Sequence, residues 1–364
     1  MVPMLDLSGQ YGAIKDEIDA AVNGVLSSGH FILGENVLAF EKELAAYHSI
    51  RYAVSLASGT DALHLSLRGL GIKEGDEVIT TPFTFFATVE AILYLRAIPV
   101  FVDIEPDTLN IAVEKIEERI TEKTKAILPV HIFGQPVRMD RVMDIAKRYG
   151  IVVVEDCAQA FGAEYMGKKV GTFGNAGCFS FYPSKNLGCY GDGGMAITGE
   201  EGLYKRLMLL RNHGTVGPYQ HAFVGCNSRL DEIQAAILRV KLKRIDAYNR
   251  LRQKKADIYA SLLKDAVQCP PSVEGTIHVY HQYTIRSKKR DEIQKALKER
   301  AIASVVYYPI PLHLQEALSH LGCRKGDFIE AERASMEVLS LPIYPELEDS
   351  KIELIAEIVR ETVK

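Results

Sequence analysis

The sequence of 364 residues contains none of the features that mark several large classes of protein. It has no run of about 18 uncharged apolar residues, so we expect no membrane-spanning segment. The first nine residues are too short for a secretory leader and include Asp6. No basic run stands out and the formal net charge is −4, which makes nucleic acid an unexpected partner.

The cysteines exclude a further set of classes. None of the six forms a Cys-x-x-Cys pair, so we expect neither a disulfide scaffold nor a zinc site, and no metal is predicted. Scattered thiols of this kind are typical of reduced cysteines, and together with the missing leader they predict a cytoplasmic location.

What is present is a regular alternation of strand and helix patterns. Alternation of this kind predicts an α/β protein whose central sheet is mostly parallel and is flanked by helices. Predicted strands cover 52–57, 77–80, 99–102, 126–130 and 151–155, and predicted helices cover 11–28, 35–48, 62–70, 87–96, 113–119, 140–149 and 201–212.

The second part of the chain predicts a smaller unit. Residues 229–263 form one long helical pattern, and we place a domain boundary inside it. We therefore expect a large domain over 1–245, with an N-terminal helical arm, and a small C-terminal α/β domain over 246–364. Its predicted elements are a strand near 279–285, a helix over 291–300, a strand over 303–307 and helices near 313–321, 327–338 and 349–362.

Chemically active residues follow several of the predicted strands. Ligands of such sheets bind at the carboxyl ends of the strands, so we expect one site there. The turn Ser58-Gly59-Thr60 leads from a strand into a helix, where free N–H groups and the helix dipole favour a phosphate. A plain helix N-cap explains the same residues. His131 either faces the substrate or is a buried, hydrogen-bonded histidine.

Lys185 lies in an unusual setting for a lysine. A short strand from 176 is stopped by Pro183, Lys185 follows, and a glycine-rich turn then leads to a second strand over 195–198. Only one acidic residue, Asp192, lies within eight positions of Lys185. A desolvated amine there could form a Schiff base, and an ordinary turn lysine is the alternative.

Asp156 lies at the end of a predicted buried strand, where a carboxylate needs a cationic partner. A helix N-cap or an ion pair with an arginine would satisfy that need. A pyridinium nitrogen would also satisfy it, because a carboxylate keeps the ring protonated and able to accept electrons. Gln159 could then reach the ring hydroxyl, Phe85 could cover the ring face, and Ser180 could join the phosphate turn.

These parts occur within motifs that extend over the whole chain, and the chain resembles the DegT/StrS family of sugar aminotransferases, a fold-type I group dependent on pyridoxal 5'-phosphate (PLP). The motifs are Ser58-Gly59-Thr60-Asp61-Ala62, Pro82-Phe83-Thr84-Phe85, Glu155-Asp156-Cys157-Ala158-Gln159, Phe179-Ser180-Phe181 with Lys185, Gly191-Asp192-Gly193-Gly194, Cys226-Asn227-Ser228-Arg229 and Tyr308-Pro309-Ile310-Pro311.

The resemblance implies a fold-type I PLP transferase and a role for each matching residue. Lys185 is implied to hold the cofactor as a Schiff base and to move the α-proton, with pyridoxamine phosphate formed in the half-reaction. Asp156 is implied to pair with the pyridine nitrogen and Gln159 to contact the ring hydroxyl. Asn227 is implied to reach the phosphate of the neighbouring subunit, so a homodimer is expected.

The same resemblance implies the substrates. Glutamate is the expected donor, and the expected acceptor is the C3 ketone of a UDP-3-oxo-N-acetylglucosaminuronate-type sugar used for O-antigen or other surface polysaccharides. A dTDP-3-oxo-6-deoxyhexose is the alternative acceptor. Related uronate enzymes commonly carry His where this chain has Tyr307. The residues expected to contact the substrate are Arg229, for which a structural role at a helix start is equally open, Tyr307, Tyr308 and His313.

Three other functions stay open at this stage. Some relatives are dehydratases in which a histidine replaces the catalytic lysine, and Lys185 favours transamination instead. A PLP-binding regulatory protein is the second alternative, and a different fold-type I chemistry such as β-elimination or desulfuration is the third.

Overall fold

The computed structural model describes residues 1–364 and contains twelve α-helices and fourteen strands. The helices are α1 (Leu7–Ala13), α2 (Lys15–Ser28), α3 (Glu35–Tyr47), α4 (Gly59–Gly69), α5 (Ala87–Leu93), α6 (Met139–Tyr149), α7 (Glu201–Leu210), α8 (Glu232–Leu242), α9 (Ile245–Leu263), α10 (Arg290–Glu299), α11 (Ile329–Glu337) and α12 (Asp349–Val363). The strands are β1 (Tyr52–Leu56), β2 (Glu77–Thr80), β3 (Ile98–Phe101), β4 (Thr124–Ile127), β5 (Val152–Asp156), β6 (Glu164–Tyr165), β7 (Lys168–Lys169), β8 (Ala176–Ser180), β9 (Gly194–Thr198), β10 (Thr215–Gly217), β11 (Gln220–His221), β12 (Thr276–Ile277), β13 (Tyr283–Arg286) and β14 (Val338–Leu341).

A seven-stranded sheet forms the centre of the fold, with the strand order β1-β9-β8-β5-β4-β2-β3. Strand β9 runs antiparallel to both of its neighbours, and all other neighbouring pairs are parallel. The strands are almost entirely buried because helices cover both faces of the sheet, which is the usual condition of parallel strands. The predicted mostly parallel sheet is thereby confirmed.

The topology brings the predicted site segments to one edge of the sheet. The segments after β1, β2, β4, β5 and β8 contain Ser58–Thr60, Phe83–Phe86, His131, Gln159 and Lys185, respectively. Since these five strands are mutually parallel in direction, the segments that follow them start at the same edge.

The C-terminal part has its own apolar core, built from α9, α10, α12 and the antiparallel pair β13–β14. The predicted boundary between residues 245 and 246 falls at the start of α9. One N-terminal residue, Val2, also lies in this core and forms a parallel bridge with Ile302. The first residues of the chain therefore tie the N-terminal arm to the C-terminal part.

Several predicted elements differ from the structure. The single helix predicted over 229–263 is two helices, because α8 packs on α2 and α3 whereas α9 packs on α12. The helix predicted over 113–119 and the one near 313–321 are 3₁₀ turns. The strand predicted over 303–307 is reduced to one bridge between Val305 and Ser340.

Strand β14 was not predicted, since its four buried residues directly continue the pattern of α11. A short apolar run of this kind does not distinguish a strand from the end of a helix.

Candidate functional site

A cavity of about 680 Å³ opens at the carboxyl edge of the sheet and is lined by 25 residues. Most of the predicted site residues lie in its wall. They are Ser58, Gly59, Thr60, Phe85, Asp156, Gln159, Ser180, Lys185, Tyr307 and Tyr308.

Lys185 is half-buried in the cavity wall. Burial lowers the pKa of its amine to about 8, and the Asp156 carboxylate opposes this shift because it favours the ammonium form. An amine with this pKa is neutral in a substantial fraction of molecules near neutral pH, so it can act as a nucleophile or a base.

Backbone hydrogen bonds and one close glycine contact hold the loop that contains Lys185. The Lys185 N–H donates to the carbonyl of Tyr182 over 2.8 Å, which closes a turn after β8. A Cβ atom on Gly188 would lie 2.4 Å from the carbonyl oxygen of Pro183, so this close approach requires glycine. The buried Lys241 ammonium donates to the Gly188 carbonyl over 2.5 Å. The position of the Lys185 backbone is therefore set by contacts within this loop and with Lys241.

Asp156 ends β5 and is almost completely buried. Its Oδ2 accepts a 2.8 Å hydrogen bond from the Thr88 hydroxyl, and its Oδ1 accepts a 3.1 Å hydrogen bond from the Ala158 N–H. Burial raises the pKa of Asp156, while these donors and the Lys185 charge oppose the increase. A bound cation beside Asp156 would stabilise its carboxylate form.

The turn before α4 has the geometry of an anion site. Ser58 is the N-cap, and its hydroxyl accepts a 3.1 Å hydrogen bond from the Asp61 N–H. The N–H groups of the first helical turn have no partner within the helix, and Gly59 and Thr60 line the cavity. A Cβ atom on Gly59 would lie 2.6 Å from the Cβ of Ser180. The N-cap and anion-site interpretations are therefore compatible, because the cap leaves the neighbouring N–H groups available.

The Gln159 side chain connects two walls of the cavity. Its Oε1 accepts a 2.7 Å hydrogen bond from the Phe133 N–H, and its Nε2 donates to the Tyr308 hydroxyl over 2.9 Å. Phe133 has a φ of 56°, a left-handed conformation that few residues other than glycine adopt. The bond to Gln159 helps to hold this conformation.

The cavity mouth carries exposed aromatic rings. Phe85 is 60% exposed and Tyr182 is 55% exposed. The rings of Phe85 and Tyr308 are tilted against each other with centroids 6.4 Å apart. Phe85 can therefore cover one face of a planar ligand that enters the cavity.

Three predicted residues do not line the cavity of this chain. Asn227 is exposed, Arg229 donates to the Asn212 side chain over 3.0 Å, and the buried His313 pairs with Glu332 over 3.0 Å. The Nε atom of Arg229 is buried without a hydrogen-bond partner. The predicted roles of these residues remain predictions, and within one chain none of them reaches the cavity wall.

His131 is the buried, hydrogen-bonded histidine that the sequence left as one of two interpretations. Its Nδ1 accepts a 3.0 Å hydrogen bond from the Val137 N–H, and its Nε2 lies 3.2 Å from the Glu155 carboxylate. Glu155 also accepts hydrogen bonds from the N–H groups of Gly171, Phe173 and Gly174. This carboxylate is satisfied by protein donors, and its cluster supports the segment behind Asp156.

Sequence reasoning assigned no role to several residues that shape the site. Thr88 binds Asp156, and His281 lines the cavity from the C-terminal part. Ser228 accepts from the Ala57 N–H and donates to Asp61, which joins the 226–229 motif to the turn before α4. Of these residues, only Ser228 had a signal in the sequence, because it lies inside the motif Cys226-Asn227-Ser228-Arg229.

Comparison with known proteins agrees with this geometry. Residues 12–360 match the DegT/DnrJ/EryC1/StrS aminotransferase family. A UDP-N-acetyl-3-dehydro-alpha-D-glucosamine 3-aminotransferase from Acidithiobacillus ferrooxidans is 46% identical over 100% of this chain and 98% of its own length. A protein from Geobacillus stearothermophilus named pleiotropic regulatory protein is 50% identical over 99% of this chain and 98% of its own.

The crystal structure of S. venezuelae DesV in complex with a ketimine intermediate superposes with a TM-score of 0.98. The two sequences are 42% identical, and the match covers 100% of this chain and 98% of DesV. The chain belongs to the DegT/DnrJ/EryC1/StrS aminotransferase family. It is a PLP-dependent sugar aminotransferase of fold type I, which confirms the fold and the enzyme class predicted from the sequence.

The cavity fits its cofactor, PLP. Unpartnered N–H groups at the start of α4 suit a phosphate, and the buried Asp156 suits a pyridinium nitrogen. Lys185 offers an amine of lowered pKa to an aldehyde. When bound, PLP supplies an electron sink for the carbon that loses or gains a proton.

No helix of the structure is both long enough and apolar enough to cross a membrane. All six cysteines are free thiols, and three of them are buried.

Proposed function

We propose that this enzyme moves the amino group of glutamate onto the C3 ketone of a nucleotide sugar of the UDP-3-oxo-N-acetylglucosaminuronate type. The observation that carries the proposal is that Lys185 and Asp156 line one cavity together with the turn before α4. The relative from A. ferrooxidans supports the UDP, N-acetyl and C3 parts of the assignment, because its name contains all three. We place the reaction in the cytoplasm, in surface polysaccharide or glycoconjugate synthesis.

Each residue of the cavity wall has a proposed task in this reaction. Lys185 would hold the cofactor through its amine and, once that amine is free, would act as the base that takes the α-proton of the donor and delivers it to a carbon of the cofactor. Asp156 holds a positive charge on the pyridine ring, and the hydrogen bonds from Thr88 and Ala158 fix its carboxylate for that purpose. The second N–H of Gln159 Nε2 is available to the ring hydroxyl, since its other N–H binds Tyr308.

The charged residues in the cavity wall indicate what a negatively charged sugar would need in order to bind. Lys185 is the only lysine or arginine among the 25 lining residues, and Asp156 and Asp192 are the only acids. A uronate carboxylate therefore needs a cation from outside this wall. We propose Arg229, contributed across a subunit interface, because a guanidinium binds a carboxylate bidentately and the Arg229 side chain is only partly buried in the single chain. A dTDP-3-oxo-6-deoxyhexose, the alternative substrate, would not need this arginine for its sugar ring.

The experiment is mass spectrometry of amine incorporation from ¹⁵N-glutamate into a panel of 3-keto and 4-keto nucleotide sugars. The proposal expects the label on a UDP-3-keto-N-acetyl sugar, with the uronate preferred over its uncharged counterpart. Arg229→Leu should remove that preference and leave turnover of the uncharged sugar. Label on 4-keto sugars alone would refute the C3 assignment, and a dTDP-3-keto deoxy sugar as the sole product would establish the alternative.

We also propose that the active unit is a homodimer in which Asn227 completes the phosphate site of the neighbouring subunit. Asn227 is exposed and follows the hairpin β10–β11. Apolar side chains around it are exposed as well, and Tyr219 is completely so. An apolar, exposed segment of this kind is typical of an interface between subunits.

Complementation between two inactive variants tests this arrangement. Lys185→Ala and Asn227→Asp subunits should each form inactive dimers. In a mixed dimer one site carries both changes and the other carries neither, so mixing should restore activity. No recovery in mixed dimers, with their formation verified by native mass spectrometry, would show that both residues serve the same subunit's site.

The name of the G. stearothermophilus relative favours one further role, in regulation. A regulatory role would add to catalysis, because this chain retains Lys185 and the rest of the cavity wall. Replacing the gene with a Lys185→Ala version separates the two. A cellular phenotype that survives this change would be regulatory in origin.

A further inference from the structure

His281 is a cavity residue for which neither the sequence nor the proposed reaction provides a task. It lies in the C-terminal part of the chain, is only 6% exposed, and lines the cavity together with the segments that follow the central strands. The segment that contains it is held to the large domain, since the Val279 N–H donates to the Gly134 carbonyl over 3.2 Å. The ring therefore has a fixed place in the wall.

The tautomer of His281 follows from its neighbours. Asn186 donates through Nδ2 to the Val279 carbonyl over 3.0 Å and to the Asn249 Oδ1 over 2.9 Å. A carbonyl can only accept, so this end of the Asn186 amide is the nitrogen and the other end is the oxygen. His281 Nδ1 lies 3.2 Å from that oxygen and must donate to it. The neutral ring therefore carries its proton on Nδ1 and a lone pair on Nε2.

The lone pair of Nε2 has no partner within the protein. No protein group donates a hydrogen bond to Nε2. This atom is still accessible to solvent, so it faces the open cavity. Burial and the positive charges of Lys185 and Arg252 keep the ring neutral by lowering its pKa well below the usual value. His281 thus presents a fixed hydrogen-bond acceptor to a cavity whose one ammonium group is Lys185.

This acceptor and the lysine line the same cavity. Asn186, which binds the His281 ring, is the residue after Lys185. The turn closed by the Tyr182 carbonyl and the Lys185 N–H fixes the backbone positions of both residues. The charged and titratable groups around the pair are Asp156, Asp192, Arg252, Tyr182, Tyr307 and Tyr308. Among these, the Asp156 carboxylate already accepts hydrogen bonds from the Thr88 hydroxyl and the Ala158 N–H.

We propose that His281 is a positioning residue for Lys185, and that the lysine amine, once released from the cofactor, turns toward Nε2 of His281 and donates a hydrogen bond to it. A free amine can rotate about its long side chain, and proton transfer requires one orientation of its lone pair. An acceptor that takes one N–H restricts this rotation. The inference rests on the role proposed for Lys185, and its test requires no sugar substrate.

The test compares His281→Gln with His281→Met in cofactor-free protein. Both side chains have the same length and both lose the bond to Asn186, but only glutamine places an acceptor near the position of Nε2. The measurement is competitive labelling with trace acetic anhydride from about pH 6 to about pH 10, with mass spectrometry of the Lys185 peptide giving the pKa of that amine. Circular dichroism verifies that both variants are folded.

An acceptor stabilises the ammonium form more than the neutral amine, so its loss should lower the pKa of Lys185. In His281→Met we expect a value about 0.5 to 1 below wild type, and in His281→Gln a value close to wild type. Equal pKa values for Lys185 in the two variants would overturn the proposal. A wrong sugar assignment would leave this result unchanged, so the two failures are distinguishable.

Discussion

The Gln159 amide donates a 2.9 Å hydrogen bond to the Tyr308 hydroxyl and thereby joins residues 149 positions apart in the chain. The same amide accepts from the Phe133 N–H. Gln159 therefore has a structural task that precedes any contact with a cofactor: it holds the C-terminal segment with Tyr308 against the large domain.

Replacing Gln159 with leucine should destabilise the protein. The change leaves the Phe133 N–H and the largely buried Tyr308 hydroxyl without partners, which costs roughly 1–3 kcal/mol for a buried polar group. Urea denaturation of the cofactor-free protein gives the free energy of unfolding. Gln159→Glu is the matched control, because a carboxylate still accepts from the Phe133 N–H and can also accept from the Tyr308 hydroxyl, which then becomes the donor. Equal losses in the two variants would contradict this explanation.

The amine of Lys185 should titrate far below an ordinary lysine. Burial lowers its pKa to about 8, so the fraction of neutral amine rises as the pH increases through that value. The labelling rate of Lys185 in cofactor-free protein should therefore rise with a midpoint near pH 8. Exposed lysines such as Lys205 provide an internal reference, and a Lys185 midpoint equal to theirs would contradict the burial of the amine.

Asp156→Asn should impair catalysis severely while the fold survives. Asparagine retains the size of the side chain and its contact with Thr88, but it removes the negative charge that keeps the pyridine ring protonated. We expect a loss of several kcal/mol in transition-state stabilisation, about a hundredfold to a ten-thousandfold in kcat. Because the carboxylate also favours the Lys185 ammonium, the same variant should lower the pKa of Lys185.

Steady-state kinetics with glutamate measures the catalytic effect, and labelling measures the pKa of Lys185. Thr88→Val is the control, since it retains the carboxylate and removes only one hydrogen bond to it. A variant Asp156→Asn with wild-type kcat would show that the carboxylate does not act on the ring.

Gly59→Ala should weaken cofactor binding through a steric effect. The new Cβ atom would lie 2.6 Å from the Cβ of Ser180, so the turn before α4 must move away from β8. Overpacking of this kind costs about 1–3 kcal/mol, and we expect a tenfold or greater loss of PLP affinity in a fluorescence titration. The double variant Gly59→Ala with Ser180→Gly should recover part of the affinity because it removes the clashing atom. A double variant weaker than the sum of both single changes would contradict the steric cause.

Much of the fold was predictable because its strands repeat a simple pattern. Short buried runs separated by amphipathic helices predicted all seven strands of the central sheet within a few residues. The prediction failed where the pattern was ambiguous: β14 continues the apolar pattern of α11, and the helical run over 229–263 changes packing partners near Arg244. Neither feature has a local signal in the sequence, since both depend on which distant segments pack against these residues.

The site residues also fall into those that the sequence could predict and those that it could not. Ser58, Asp156 and Lys185 were predictable because each follows a strand of a parallel sheet, where the chemistry of the residue and its position agree. His281 was not predictable, because a histidine in the predicted strand near 279–285 shows neither its neighbour nor its tautomer. Its contact with Asn186 spans 95 positions.

By itself, the sequence determined the order of strands and helices and the chemical groups that follow the strands, because these depend on local periodicity and on residue type. Only the tertiary structure decided which strands are neighbours, which groups share the cavity, and which way the rings of His131 and His281 carry their protons. Such features arise from contacts between distant segments, and burial then changes the pKa values of the groups involved in ways that no single segment determines.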